Sequence, residues 1–374
     1  MQNHQRARIR TAIPDPRPLD FPAFSSNHTP AHTGQNPPPA PENPHVKGFL
    51  KSEAGTVILW ILGTLIIAAT LLPWIHASGK NLAARAATED LSPFLEWLGA
   101  AADRGKYSRY FSRTLTLSAL LLTPLMVWRL KSISRPTTLP SATQKSTTHP
   151  VLQITLGILI AGGILWALGG ILIAAGAFTA DPTPPTIGKI LTKALFPAIG
   201  ASFLEEWLFR SLLLGAFLRI AKPATACIAN SLVFAFVHFL RPPEGTVITN
   251  PNAPLAGFEL LAAILKNFLN PQFFAAEFAT LFTVGMILGW ARLSTGKLWF
   301  SIGLHAGWIA AFKAFNLLND LNHASPLHPW GIGLSLRSGL LPLATLALTA
   351  AVCHPILKRL KPKPSPDSAF PPPN

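Results

Sequence analysis

The sequence predicts an all-α fold, a polytopic membrane helical bundle of about eight transmembrane helices. Three observations lead there. Apolar residues make up 49% of the 374 positions and charged ones only 13%, with a mean hydropathy of +0.36, whereas soluble domains carry roughly 25% charged residues. The apolar residues gather into runs, several exceeding about 18 residues with hardly a charge, which is long enough to cross a bilayer. The 31 Lys and Arg against 16 Asp and Glu, a formal charge of +15, lie mainly in tails and short loops beside those runs. Membrane topology asks for that distribution and a nucleic-acid surface does not. An ordinary soluble enzyme and a nucleic-acid partner are therefore excluded, and membrane lipid is the expected surrounding.

The elements follow in order. Residues 1–48 are polar, contain ten prolines including Pro37-Pro38-Pro39, and have no apolar period, so they read as a disordered tail with no cleaved secretory signal. Residues 49–185 hold N-terminal transmembrane helices with spans at 56–75, 112–130 and 151–178. The loop at 80–113 mixes Lys80, Arg85, Arg104, Lys106, Arg109 and Arg113 with Glu89, Asp90, Glu96 and Asp103. Within it Leu91, Phe94, Leu95 and Leu98 recur at helical spacing, as in an interfacial amphipathic helix. Residues 186–318 form a helical core with spans at 195–218, 224–240, 273–290 and 298–315 and a second amphipathic segment at 255–269. Residues 319–360 supply a loop and a last span at 339–357, and 361–374 are a second Pro-rich flexible tail. Eight spans put both termini on one side. Arg6, Arg8, Arg10, Arg17, Lys47 and Lys51 before the first span, Arg129, Lys131, Arg135 and Lys145 after the second, and Lys358, Arg359, Lys361 and Lys363 after the last make that side cytoplasmic. A multi-pass protein results, of the inner or plasma membrane if the cell is prokaryotic. No internal repeat stands out. Cys227 and Cys353 lack the spacing of a zinc ribbon or a CxxC pair and read as packing residues.

Three ionisable residues interrupt the span at 195–218. Glu205, Glu206 and Arg210 each cost about 2.5–3.5 kcal/mol at a helix centre on insertion scales, and such a cost needs a reason. Glu206 and Arg210 are four apart with Glu on the N-terminal side, the orientation that pairs best. Glu205 is turned about 100° from Glu206 and about 140° from Arg210 and has no partner on its own helix. A carboxylate held so, near histidines or water, is suited to take a proton from water. The next span carries Phe234 and His238 one turn apart. Glu205 lies about 15 residues before the turn at 219–222 and His238 about 17 after it, so at 1.5 Å per residue their depths differ by about 3 Å. His305 enters from the same membrane face after the turn at 293–296. One or two carboxylates and two imidazoles converge at one level, a set that ligates a metal, activates water, or both.

Plainer readings stand beside this one. Glu205, Glu206 and Arg210 suit a structural ion-pair knot, His238 an interhelical hydrogen bond or an interfacial role with Arg241, and His305 a water-filled vestibule. Phe234 suits packing as well as substrate contact. Gly285, Gly289, Gly303 and Gly307 read as sites of close helix approach. Glu277 lies near the depth of Glu205 and either joins the site or pairs with Lys266 or Arg241. His76, His323, His328 and His354 fall at span ends or in loops, where a solvated imidazole is expected. No GxSxG elbow, P-loop or HExxH helix is present, which disfavours serine hydrolases, NTPases and soluble zincins.

The residues Glu205-Glu206-Trp207-Leu208-Phe209-Arg210, Phe234 to His238, and His305 resemble the EExxxR, FxxxH and HxxxN/D motifs of the CPBP (Abi) intramembrane metalloproteases. That family includes the type II CAAX prenyl endopeptidases and bacteriocin-processing or self-immunity proteins. The resemblance covers about a third of the chain and implies peptide-bond hydrolysis inside a membrane cavity, with a peptide or the C-terminal segment of a protein as substrate. It makes Glu205 the general base, and His238 and His305 the groups that orient the water or, together with Glu205, ligate a divalent metal such as zinc. Glu206 with Arg210 fixes the helix carrying the base, and Phe234 is substrate-binding. One position departs from the pattern: Ile309 stands where the family has Asn or Asp, and Asn316, on a similar face, lies about 16 Å from His305 along the helix. Ile309 cannot donate to an oxyanion. The alternative is a catalytically silent membrane scaffold or bacteriocin-immunity-like protein that uses the same cavity. A proton-coupled transporter is disfavoured by the lack of paired broken helices.

Overall fold

Among the described residues the first helix, α1 (Glu53–Thr88), starts where the Ser52 side chain accepts a hydrogen bond from the Gly55 N–H at 3.0 Å. The computed structural model describes residues 52–133, 148–240, 242, 245–269, 271–333 and 335–360, with the backbone alone for 271–276. Both expected tails lie outside the described residues, as do Arg135, Lys145 and Arg241. The chain divides into Met1–Asn43, outside the described residues, and Pro44–Asn374, which holds every element named here.

α1 runs well beyond the predicted span end at 75. The cause is local, because 81–88 is made of Ala, Leu, Arg and other helix-tolerant residues, and Arg85 pairs with Glu89 at 2.8 Å just past the end. Pro93 opens α2 (Pro93–Asp103), the predicted amphipathic helix. It buries its small residues Gly99 and Ala102 and leaves Phe94, Leu95, Trp97 and Leu98 exposed. Next come α3 (Tyr107–Ile133) and α4 (Pro150–Ala174). α4 stops short of the predicted 178, because Gly176 turns the chain at φ +71°. Phe178–Ala180 then form β1, which pairs antiparallel with β2 (Asn319–Leu321), Thr179 facing Asp320. This small ribbon ties together the ends of two helices and is the one departure from an all-helical chain among the described residues.

α5 (Ile187–Ile220) is continuous but contains two wide turns of π-helix, at Leu191–Leu195 and at Trp207–Leu213. α6 (Pro223–His238) begins at its proline. The second predicted amphipathic segment is α7 (Ala256–Asn267), with Leu260, Leu261 and Ile264 buried. α8 (Pro271–Thr295), α9 (Trp299–Leu318) and α10 (Leu340–Leu360) complete the bundle.

All eight predicted spans are helices. Among the described residues six stretches are long and apolar enough to cross a membrane: α1, α3, α4, α5, the part of α8 from Glu277 to Thr295, and α10. Large apolar side chains face outward in helical stripes, Ile58, Leu62 and Ile66 on α1 and Leu117, Leu121 and Leu125 on α3. Such stripes would be a liability in water and suit lipid. The protein is a multi-pass membrane protein. Of the eight predicted spans, the two outside the six are α6, with 16 residues, and α9. α9 is the interior helix, with every residue from Phe300 to Trp308 buried. Glycines make that possible: a Cβ on Gly307 would lie 2.8 Å from the Ile158 carbonyl oxygen, and one on Gly303 would collide with the Ile154 carbonyl. Gly285 and Gly289 likewise admit Ser231 and the Cys227 sulfur of α6 against α8. Cys227 and Cys353 are buried free thiols, as expected.

Candidate active site

α5 delivers two adjacent carboxylates to opposite environments. Glu206 is fully enclosed, its Oε1 3.1 Å from Arg210 Nη1, and Arg210 is enclosed as well. The predicted i,i+4 pair is therefore real even though the helix widens into a π turn between its members. Arg210 also donates to the Gly285 carbonyl of α8 at 3.4 Å and lies 4.3 Å from the centre of the Phe234 ring. Burying such a pair is tolerable only when further hydrogen bonds hold it; neighbouring helices supply some of them, while Glu206 Oε2 and Arg210 Nε have no hydrogen-bond partner. Two of these groups escaped the sequence reading. The Gly285 carbonyl has no sequence signal, and Ser301, which faces Glu206 one turn before His305, carried one only in being a polar residue inside an apolar run.

The histidines are oriented through their Nδ1 atoms. His305 is 4% exposed, and its Nδ1–H donates to Glu206 Oε1 at 3.0 Å. His238 Nδ1–H donates to the Phe234 carbonyl at 2.7 Å, closing the last turn of α6. Each bond fixes a tautomer that leaves the Nε2 lone pair free. Both lone pairs turn to the same acceptor: Glu205 Oε2 lies 3.6 Å from His238 Nε2 and 3.7 Å from His305 Nε2. The side chains of Glu205 and His238 are 28% and 29% exposed, and Glu205 Oε2 has no hydrogen-bond partner. A buried carboxylate oxygen facing two acceptor lone pairs calls for a donor between them, and water is the small molecule with two O–H groups.

Residues 187–311 match the family model of the type II CAAX prenyl endopeptidases, Rce1-like. The match runs from the start of α5 to the middle of α9 and thus contains Glu205, Glu206, Arg210, His238 and His305. The chain in this stretch is similar to a protease, and the remaining two thirds of its length lie outside the match. Searches of curated proteins and of solved structures find no match to the chain.

The Rce1-like stretch brings together five of the expected residues and treats the others differently. Phe234 is fully buried, wedged against Phe209, Arg210, His238 and His305. It walls the site from behind and does not open toward a substrate. Glu277 leaves the centre and meets Arg337 at 3.6 Å, a partner absent from the sequence reading. His76, expected to be solvated, is 8% exposed, and its Nδ1–H donates to Asn252 Oδ1 at 3.0 Å. The open side of Glu205 and His238 borders an apolar cavity of about 500 Å³ between α1, α3, α5 and α6, walled by residues such as Trp60, Ile61, Leu115 and Leu120.

A tetrahedral zinc with ligands at about 2.0 Å holds them about 3.3 Å apart. The gaps from Glu205 are 3.6 and 3.7 Å, which exceed that spacing by only about 0.3–0.4 Å. Glu205, His238 and His305 are right in kind for zinc and would be the residues to hold it. A water about 2.8 Å from each of two partners would set them about 4.6 Å apart at a tetrahedral angle, so the observed gaps lie between the two and suit either.

Proposed function

We propose that this protein is an intramembrane endopeptidase that hydrolyses a peptide bond in a lipidated C-terminal segment by means of water activated by Glu205. The observation that carries the reading is the pair of Nε2 lone pairs at 3.6 and 3.7 Å from one carboxylate oxygen, each imidazole already committed through Nδ1. Water between them donates one proton to Glu205 and the other to an imidazole, which leaves its own lone pair for the substrate carbonyl. As the oxygen–carbon bond forms, Glu205 takes the first proton. When the carbon–nitrogen bond breaks, Glu205 returns that proton to the departing amine. Glu206 and Arg210 touch no reacting atom; they hold His305 in its working tautomer. Ile309 offers no donor to the tetrahedral oxyanion, and with the ring proton of each imidazole committed through Nδ1 neither neutral histidine supplies one from Nε2.

The substrate class follows from the cavity and the family match together. The matched family's name specifies CAAX prenyl substrates, in which the cysteine of a C-terminal Cys-aliphatic-aliphatic-X motif carries the prenyl group. The apolar walls at Trp60, Ile61, Leu65, Leu115 and Leu120 give an isoprenoid chain a place beside the reacting centre. The basic residues flanking the spans favour both termini on the cytoplasmic side.

The test compares peptide termini in membranes of cells expressing the wild type or Glu205→Gln at equal levels, followed by cleavage of a synthetic farnesylated peptide by the purified proteins. Termini and cleavage that depend on Glu205 support the reading; identical products from both proteins overturn it. A zinc content of one per chain that disappears in His238→Ala would turn the same side chains into a metal site. The scaffold alternative, favoured by Ile309, expects a phenotype that survives Glu205→Gln.

A further inference from the structure

A second cavity, of about 700 Å³, lies beside the first and plays no part in the chemistry above. Its walls include His76 from α1, Lys106, Tyr107 and Ser108 at the start of α3, Pro242 and residues 245–248 of the loop after α6, and Leu260 of α7. Its charge is of one sign. Lys106 brings a full positive charge. The amide N–H groups of Tyr107 and Ser108 open a long helix and have no carbonyl one turn back to bond. The Tyr107 hydroxyl is enclosed with no hydrogen-bond partner. His76 is held at its edge by Asn252 Oδ1, 3.0 Å from Nδ1, with the rings of Tyr107 and Tyr110 each 5.0 Å away. The acid whose field reaches Tyr107 is Glu259 on α7, itself exposed to solvent and its screening. Lys106, the Tyr107 hydroxyl and the first amides of α3 thus bring donors to one concave space that no carboxylate lines.

The position matters as much as the chemistry. Ser108 lines this cavity and Ser112 the one holding Glu205 and His238, which separates the two by a single helical turn of about 6 Å. On the other wall Leu240 borders the first cavity and Pro242 the second. An endopeptidase that cuts within a C-terminal Cys-aliphatic-aliphatic-X motif releases at most three residues, which span about 10 Å when extended. A fragment that leaves the first cavity along α3 past Ser112 is long enough to enter the second.

We infer that the cavity at Lys106, Tyr107 and His76 is the subsite for the free C-terminal carboxylate of the substrate, and so sets the distance from the chain end at which the bond is cut. This rests on the peptidase reading above. Lys106 supplies the charge, the Tyr107 hydroxyl and the first amides of α3 supply hydrogen bonds, and His76 forms the far wall.

The experiment measures equilibrium binding of a farnesylated Cys-aliphatic-aliphatic-X peptide, as free acid and as C-terminal amide, to full-length Glu205→Gln protein in lipid nanodiscs, where turnover is absent. The acid is expected to bind about tenfold more tightly than the amide, the order expected of one charge-assisted contact. Lys106→Met in the same background should bring the ratio near one by weakening the acid alone, and Tyr107→Phe should lower it about threefold by removing a single neutral hydrogen bond. Equal binding of acid and amide, or a ratio unchanged in Lys106→Met, overturns the inference. Glu205-dependent cleavage of both peptides with equal KM overturns the subsite and leaves the peptidase standing. Acid selectivity in binding without Glu205-dependent cleavage upholds the subsite and overturns the peptidase.

Discussion

Glu205 and Glu206 are neighbours on one helix and live in different solvents. Glu206 is sealed among Arg210, His305 and the backbone of α8, with nothing of its side chain exposed. Each keeps one oxygen without a hydrogen-bond partner, but Glu205 borders a cavity and meets its two imidazoles beyond hydrogen-bond length. The sealed side spends its charges on one another and holds geometry, whereas the open side keeps a carboxylate uncommitted. That division is what separates a structural ion pair from a group able to exchange protons. One extra residue in sequence, about 100° of rotation, is enough to produce it.

The comparison can be broken most sharply on the open side. Glu205→Gln removes the base without touching the sealed cluster and should lower the cleavage rate by about 10²–10⁴, with thermal unfolding in detergent unchanged. A rate within a few-fold of wild type would assign the proton transfer elsewhere. On the sealed side the largest loss should be in stability. Arg210→Met strands a buried carboxylate and should cost about 3–5 kcal/mol, read as lower unfolding temperature and less folded protein in membranes. Removing both charges, Arg210→Met with Glu206→Gln, should recover much of that stability, because no charge is left unpaired. Cleavage should remain about 10–100-fold below wild type even so, since His305 has lost the carboxylate that orients it. Recovery of the rate together with stability would show that the sealed side acts only as packing. The smallest effect is expected at Ile309→Asn, which places a donor one turn from His305 and should raise kcat about tenfold with KM unchanged. A variant that gains cleavage from an inactive parent would make the natural chain the silent scaffold.

Much of this was legible in the sequence because membranes make charge expensive. Glu205, Glu206 and Arg210 stand out in an apolar run, and counting residues from the turn at 219–222 brings His238 to the depth of Glu205, where the structure has it. The same arithmetic could not foresee that α9 would be the interior helix, since its composition resembles that of its neighbours and only the glycine contacts with α4 draw it inward. Phe234 shows the limit from the other direction. Its spacing from His238 reads equally as packing or substrate contact, and burial alone separates the two. His76 looked solvated for the same reason, because a span end says nothing about the loop that folds over it.

The sequence by itself determined the helical membrane bundle, the pairing of Glu206 with Arg210 and the common depth of Glu205 and His238. These follow from local rules, hydropathy and the helical repeat, which act along the chain. Only the tertiary structure decided which nitrogen of each imidazole faces Glu205, that Glu206 belongs to His305, and that a second polar cavity adjoins the first. Those depend on hydrogen bonds and close approaches between segments 99 and 176 residues apart, whose geometry no single stretch of sequence encodes.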